Sequence, residues 1–221
     1  LPSGAENLNY VLYTDESPYK MQREWLDRLP FDIYSVNVHT GAKRLIGRSY
    51  RTAPKWSVNG KWAVMYDPIA QVWNKFDGAT GKVVNISDAI GYPMFMESYD
   101  KPAPAPAYGI AGWTADGNNV FLYDAYDWWK IDLTGERQPE CLTKGYGRKH
   151  GKSIRKMTSN IDKDVFQKDE KVIVSLWDKD TMDEGVYQLD MKGRLRKLME
   201  GNYVYTIHRF SDNHEYCVWN R

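Results

Sequence analysis

The chain has 221 residues, 42% of them hydrophobic, and 30 Lys and Arg nearly cancel 29 Asp and Glu for a net charge of +1. That length can bury a sizeable core, while the balanced charge leaves no electrostatic footprint for nucleic acid or an anionic membrane. No run approaches the roughly 18 apolar residues of a membrane helix, the N-terminus lacks a basic-then-apolar signal pattern, and two cysteines leave the redox compartment open.

Residues 1–6 read as an edge or unstructured segment, followed by a strand at Asn7–Tyr13. Asp15–Pro30 is polar with embedded Met21, Trp25 and Leu26, which predicts a long loop with one helical turn. Asp32–Gly47 completes a partial sheet unit spanning about 7–47, and residues 53–87 form a compact second unit with turns at Asn59-Gly60 and Ala79-Thr80-Gly81. Ser87–Tyr108 is an insertion whose alternating Pro and Ala at 101–107 favour extended, unpaired backbone, hence a surface excursion. The third unit, 108–143, holds four short apolar segments: Gly109–Trp113, Val120–Tyr123, Trp128–Ile131 and a weak one ending at Thr143. Runs of four or five residues are too short for a stable helix and normal for strands. Asp116-Gly117 between two of them is a hairpin signal, because Gly accepts the positive φ of a tight turn. Residues 144–156 are a basic, Gly-rich stretch and read as a solvated loop. A fourth unit covers 157–200, with Lys168–Lys171 replacing the Asp-Gly turn, and 203–221 supplies the first two segments of a fifth.

These units repeat. The second segment recurs as Leu12-Tyr13-Thr14, Met65-Tyr66-Asp67, Leu122-Tyr123-Asp124, Leu176-Trp177-Asp178 and Val218-Trp219-Asn220. The third runs Ile33–Asn37, Trp73–Asp77, Trp128–Asp132 and Val186–Asp190, each leading to a turn glycine at Gly41, Gly81, Gly135 or Gly193. The first hairpin recurs at Trp56–Lys61, Trp113–Asn118 and Phe210–His214. Four strands per unit at a period near 40–50 residues is the signature of a β-propeller. The expected fold is therefore all-β, a β-propeller of four-stranded antiparallel blades, with about four to five blades present. Inner strands of a blade are buried on both faces and read as continuous apolar runs, and large aromatics fill the widening wedge between blades. Trp113 is expected to be buried on this register. An unrelated β-sandwich would have no reason to reuse the same aromatic–Asp endings. The expected strands number about 17, which no ring of four-stranded blades matches, and unpaired edges are avoided. The expectation is a segment of a larger propeller.

The phrases YGIAGWTADGNNVFLYDAYDWWKIDLTGE (108–136), YVLYTDESPYKMQREW (10–25) and DIYSVNVHTGAKRLI (32–46) carry a resemblance. The chain resembles, from about residue 8 to 221, the N-terminal propeller of bacterial prolyl oligopeptidase-family serine peptidases. It looks most like the long secreted enzymes of Bacteroidetes type, related to dipeptidyl-peptidases. The turn motif itself is shared by all TolB-like propellers. The resemblance implies a periplasmic or secreted protein whose propeller covers a C-terminal α/β-hydrolase domain of the same polypeptide and gates peptide substrates. That hydrolase domain would carry the catalytic Ser, Asp and His. No G-x-S-x-G nucleophile elbow occurs in the chain, and the paired glutamates with which dipeptidyl-peptidases hold a substrate amine have no Glu-Glu counterpart. No catalytic residue, metal ligand or cofactor is assigned. The alternatives are a stand-alone TolB-like propeller acting as a protein- or ligand-binding scaffold, and a propeller hydrolase or lyase with an axial site, for which no constellation is visible.

Several residue sets invite a functional reading and are better explained structurally. Gly151-Lys152-Ser153 lacks the phosphate-loop glycine, its place being Tyr146. His39, His150, His208 and His214 have no paired metal spacing. Asp67, Asp77, Asp124, Asp132, Asp178 and Asp190 end strands repeatedly from blade to blade, which points to turn formation rather than acid–base work. Asn85-Ile86-Ser87 is a glycosylation sequon without bearing on a bacterial-looking chain. Cys141 and Cys217 read as small buried side chains, with a disulfide unsupported. The insertion at 88–108, with Tyr92, Met94, Phe95, Met96 and Tyr99, is the best candidate contact surface if those apolar side chains are exposed, and a packed loop if they are not.

Overall fold

The computed structural model describes residues 9–26, 28–157, 164–211 and 216–221. The first sheet comprises β1 (Tyr10–Asp15), β2 (Phe31–Asn37) and β3 (Lys43–Tyr50) in that order. The second is a meander of β4 (Lys55–Trp56), β5 (Trp62–Asp67), β6 (Val72–Asp77) and β7 (Val83–Asn85). The third runs β8 (Ile110–Thr114), β9 (Asn119–Tyr123), β10 (Trp128–Asp132) and β11 (Glu140–Cys141). A helical turn, α1 (Tyr146–Lys149), precedes the fourth sheet of β12 (Lys152–Lys156), β14 (Lys171–Asp178), β15 (Glu184–Asp190) and β16 (Leu195–Gly201). Between β12 and β14, the two-residue β13 (Val165–Phe166) leaves its own sheet and pairs in parallel with β8. The chain continues into a hairpin of β17 (Thr206–Phe210) and β18 (Cys217–Asn220). The fold is thus all-β, with four-stranded antiparallel sheets forming β-propeller blades.

Alternation along the inner strands builds the core. Ala63 and Met65 of β5 join Ile33, Tyr50 and Phe76 between the first two blades, whereas Val64 and Tyr66 turn the other way. Val120 and Leu122 of β9 meet them there with Trp73, Trp113, Ile131 and Leu133. Phe121 and Tyr123 point oppositely, into the cluster of Trp128, Ile154, Val174, Leu176 and Leu189 between the third and fourth blades. Because β5 and β9 are apolar on both faces, burial on the scale of about 2 kcal/mol per large side chain is collected at the junctions on either side of them. Trp113 is 5% exposed, in agreement with the expected register.

The turns follow the expected chemistry. In the β4–β5 hairpin, Gly60 N–H donates to Ser57 O, and Asn59 Oδ1 accepts from Ser57 Oγ and Lys61 N–H. Asn59 Nδ2 reaches across to Asp116 O at 2.9 Å, tying one blade's hairpin to the next. All six strand-ending aspartates accept backbone N–H groups from the following two to five residues. They are turn formers.

Several expectations are corrected. The described residues hold 18 strands rather than about 17, the extra one being β13. Residues 144–156 are not a solvated loop: they form α1 and β12, and β12 is the first strand of the fourth blade, which therefore begins before residue 157. The insertion is partly core, since Ile90 and Met94 are buried against the second and third blades while Tyr92 and Met96 are exposed. Met96 N–H donates to Pro106 O and Tyr108 N–H to Met94 O, so the Pro–Ala run folds back on the segment before it. Cys217 is exposed rather than buried, and both cysteines are free. The Asp15–Pro30 loop carries its helical turn as a 3-10 segment at Ser17–Gln22. Residues 1–6, Asn7 and most of the Phe210–His214 turn lie outside the described residues.

Candidate interaction site at the blade-connection end

Alternating strand direction puts the β5–β6, β9–β10 and β14–β15 turns at one end of the blades, together with the long β7–β8 and β11–β12 connections. The Asp124–Asp127 turn, the insertion and α1 converge there. Asp124, which is fully buried, spends one oxygen on its own turn, accepting from Tyr126 and Asp127 N–H. Its other oxygen accepts from Trp129 Nε1 at 3.1 Å and from Arg148 Nη2 at 3.0 Å. Asp127, 1% exposed, accepts from Thr143 Oγ1 (2.6 Å), Gly147 N–H (2.9 Å) and Arg148 N–H (3.0 Å). A carboxylate at those two amides closes α1 against the third blade. Gly147 has no room for a side chain: a Cβ would lie 2.6 Å from Tyr126 O and 2.7 Å from Lys152 O.

Two guanidinium groups cross the junction. Arg155, on β12, donates to Asp124 O, Ala125 O and Ile154 O, and stacks over Tyr123 (4.7 Å) and Tyr108 (5.3 Å). Burial lowers its pKa from the ordinary arginine value, and its carbonyl partners and aromatic faces hold the charge in place. Arg148 is sandwiched between Tyr92 of the insertion, 3.8 Å from the ring centre, and Tyr126 at 5.0 Å. Burial is the largest influence and opposes its charge, but the hydrogen bond and charge of Asp124 together with the nearby Tyr92 and Glu97 outweigh it, and its pKa is raised. Lys179 covers the Tyr126 ring at 4.1 Å.

Beside this cluster lies a cleft of about 410 Å³ lined by Tyr92, Trp129, Cys141, Arg148 and Lys149 with both carboxylates at its back. Both carboxylates are committed to donors, which leaves neither poised as a base. The Cys141 thiol has its pKa pushed up, first by burial, while its Sγ accepts from Gly145 N–H. A raised thiol pKa disfavours the nucleophilic thiolate. The arrangement is suited to contact through aromatic and cationic groups rather than to bond breaking.

The other residues singled out in the sequence fall elsewhere. Lys152 of the Gly-Lys-Ser string bonds Glu200 in the fourth blade, and Ser153 sits in β12 opposite Trp177. His39 lies near Asn9 Oδ1 on the surface, and His150 stacks on Tyr146 at 4.3 Å between ring centres. His214 and the side chain of His208 lie outside the described residues. Asn85 Oδ1 accepts from Ser87 and Asp88 N–H as another turn former. Among the described residues no group of three or more His, Cys, Asp and Glu is clustered to hold a metal ion. Nor is any described helix long and apolar enough to cross a membrane. Sequence reasoning missed Asp127, Arg148 and Arg155 as a connected set. The Asp124-x-x-Asp127 pair within one short turn was the available signal, since a single aspartate suffices to form such a turn.

No protein-family model and no curated protein sequence matches the chain. Solved structures similar to it include TolB from Acinetobacter baumannii, 15% identical over 94% of this chain and 44% of that one, with a TM-score of 0.46. The β-propeller domain of the Trilobed protease from Pyrococcus furiosus is 12% identical over 91% of this chain and 57% of that one, TM-score 0.46. Porphyromonas gingivalis dipeptidyl peptidase 4 is 11% identical over 93% and 34%, TM-score 0.42. The chain spans well under two thirds of the length of each.

Proposed function

We propose that the chain is the non-catalytic propeller portion of a periplasmic or secreted serine peptidase of the prolyl oligopeptidase type. In this reading it covers an α/β-hydrolase domain of the same polypeptide and gates and filters peptide substrates. The observation that carries the reading is the agreement between phrases and blades. The three stretches that resemble this family, 10–25, 32–46 and 108–136, lie in the strands and turns of the first and third blades. The aromatic and guanidinium face around Tyr92, Tyr126 and Arg148 supplies chemistry suited to a docked peptide or domain.

The test is immunoprecipitation of the natural protein from its host, followed by mass determination and labelling with a fluorophosphonate serine-hydrolase probe. The expected result is a mass several-fold above 25.7 kDa with covalent uptake of the probe. A natural protein near 25.7 kDa that takes no label would overturn the reading and leave a stand-alone TolB-like binding scaffold.

A further inference from the structure

At two blade junctions a cation of one blade donates to a turn carbonyl of the next, from β3 in one case and from β6 in the other, and at a third junction the residue equivalent to the β6 cation does not. Between the first and second blades, Arg44 Nη2 donates to Gly81 O in the following blade's β6–β7 turn. Between the second and third, Lys75 Nζ donates to Leu133 O in the β10–β11 turn at 2.5 Å. Lys130 occupies in β10 the place that Lys75 occupies in β6, two residues before the terminal aspartate of its strand. It lies directly opposite Phe121 in the β9–β10 ladder, hence on the face turned toward the fourth blade. Yet Lys130 makes no hydrogen bond or ion pair with the described residues. Where its turn carbonyl would be, the third and fourth blades leave a cleft of about 560 Å³.

From this departure we infer that the cleft is a binding site for a small organic carboxylate with an apolar or aromatic body. Its volume lies within the range of about 300–1,000 Å³ typical of ligand sites. Phe121 and Phe166, 5.6 Å apart between ring centres, close the base, and Met191 flanks them. Lys130, Lys168 and Lys192 all line the cleft, and none forms an ion pair among the described residues. Of the neighbouring acids, Asp116 meets Lys130 only through charge, without a hydrogen bond between them. Asp116 is filled by Thr114 Oγ1 and by the N–H and Nδ2 of Asn118, and Asp132 by Thr134 and the N–H groups of Glu136 and Arg137. Glu136 is the one lining carboxylate without such bonds, and it disfavours a doubly charged guest. A monoanion over an apolar base is what remains, with its carboxylate on Lys130. The site lies at the opposite end of the third blade from the Asp124 cluster and does not rest on the peptidase reading.

The test is isothermal titration and amide NMR of the 221-residue chain with N-acetylphenylalanine, its uncharged carboxamide analogue, and inorganic phosphate. The acid should bind saturably and shift the amides of Phe121, Phe166 and Lys130. The carboxamide should bind at least about tenfold more weakly, as loss of one charge-assisted bond implies, and phosphate should fail to compete. Lys130→Gln should weaken the acid by a similar factor with an unchanged circular dichroism spectrum, whereas Lys75→Gln, at the filled junction, should not. Equal binding of acid and carboxamide, no saturable binding of the acid, or phosphate competing as well as the acid would each overturn the proposal. Because the acid–carboxamide comparison uses the unaltered chain, it decides the matter even if Lys130→Gln fails to fold.

Discussion

Asp127→Ala is the sharpest probe of how the third and fourth blades are joined. The substitution removes one buried acceptor from three donors: Thr143 Oγ1, Gly147 N–H and Arg148 N–H. The Gly147 and Thr143 groups are buried, so water does not replace the carboxylate freely. Each orphaned donor costs about 1–3 kcal/mol. The sum is reduced because an ionised carboxylate no longer has to be desolvated, which leaves a net loss of about 3 kcal/mol. For a domain of this size that corresponds to a fall in Tm of about 6–12 °C. Equilibrium urea unfolding followed by tryptophan fluorescence measures the loss, and amide hydrogen exchange localises it. Gly147 and Arg148 amides should exchange faster in the variant, while those of β5 and β6 keep their protection. A loss below about 1 kcal/mol, or uniform loss of protection across all blades, would refute the idea that this carboxylate clamps α1 to the third blade.

Two further outcomes follow from the turns and the buried phenols. Gly117 and Gly41 share nearly the same backbone conformation, φ +69° and +71°. A Cβ on Gly117 would lie 2.7 Å from Asn59 Cγ and 2.8 Å from Asn59 N, whereas Gly41 has open space around it. Gly41→Ala should therefore cost only the left-handed penalty of about 1–2 kcal/mol, and Gly117→Ala should cost clearly more in urea unfolding. Equal losses would mean that the blade-to-blade hairpin contact carries no weight. In alkaline solution, burial pushes the phenols of Tyr50, Tyr66 and Tyr123 up to about 12. Their folded values lie above the unfolded value near 10, so the stability they contribute is complete below pH 10 and is lost as pH rises from about 10 to 12. Phenolate absorbance should show a late group of tyrosines whose ionisation coincides with unfolding. Titration of all 16 in one reversible step near pH 10 would contradict the burial.

Blade identity was legible because it is written in local chemistry repeated several times. An aromatic ending on Asp reports an inner strand and its turn, and two-sided burial of β5 and β9 forces unbroken apolar runs such as Val120–Tyr123. Residues 144–156 misled for an equally physical reason. Six cations among glycines look solvated when counted, but Arg155 is half-buried, held by carbonyls of residues 124, 125 and 154 and the faces of Tyr108 and Tyr123. Those partners lie up to 47 residues away in sequence, and composition cannot report them. The β13 strand was hidden too, since two residues carry no periodicity.

The repeat frame nevertheless says where to look once the structure is in hand. Asp67, Asp124 and Asp178 are equivalent in the frame, each ending a second segment, yet only Asp124 is fully buried and ion-paired with an arginine. Lys75 and Lys130 are equivalent as well, yet only Lys75 finds its carbonyl. A blade needs the turn and the filled junction for stability, so positions obeying the frame are accounted for by folding alone. The exceptions bury charge or leave a cation without a hydrogen-bonded partner among the described residues, and both are costly unless something is gained. Asp124 with Arg148 locks the insertion, α1 and the third blade into one surface through Tyr92. Lys130 leaves open the one junction cleft among the described residues that combines an unpaired repeat-position cation with an aromatic base. Function in this chain is therefore to be sought at the joints between the third and fourth blades, at both ends.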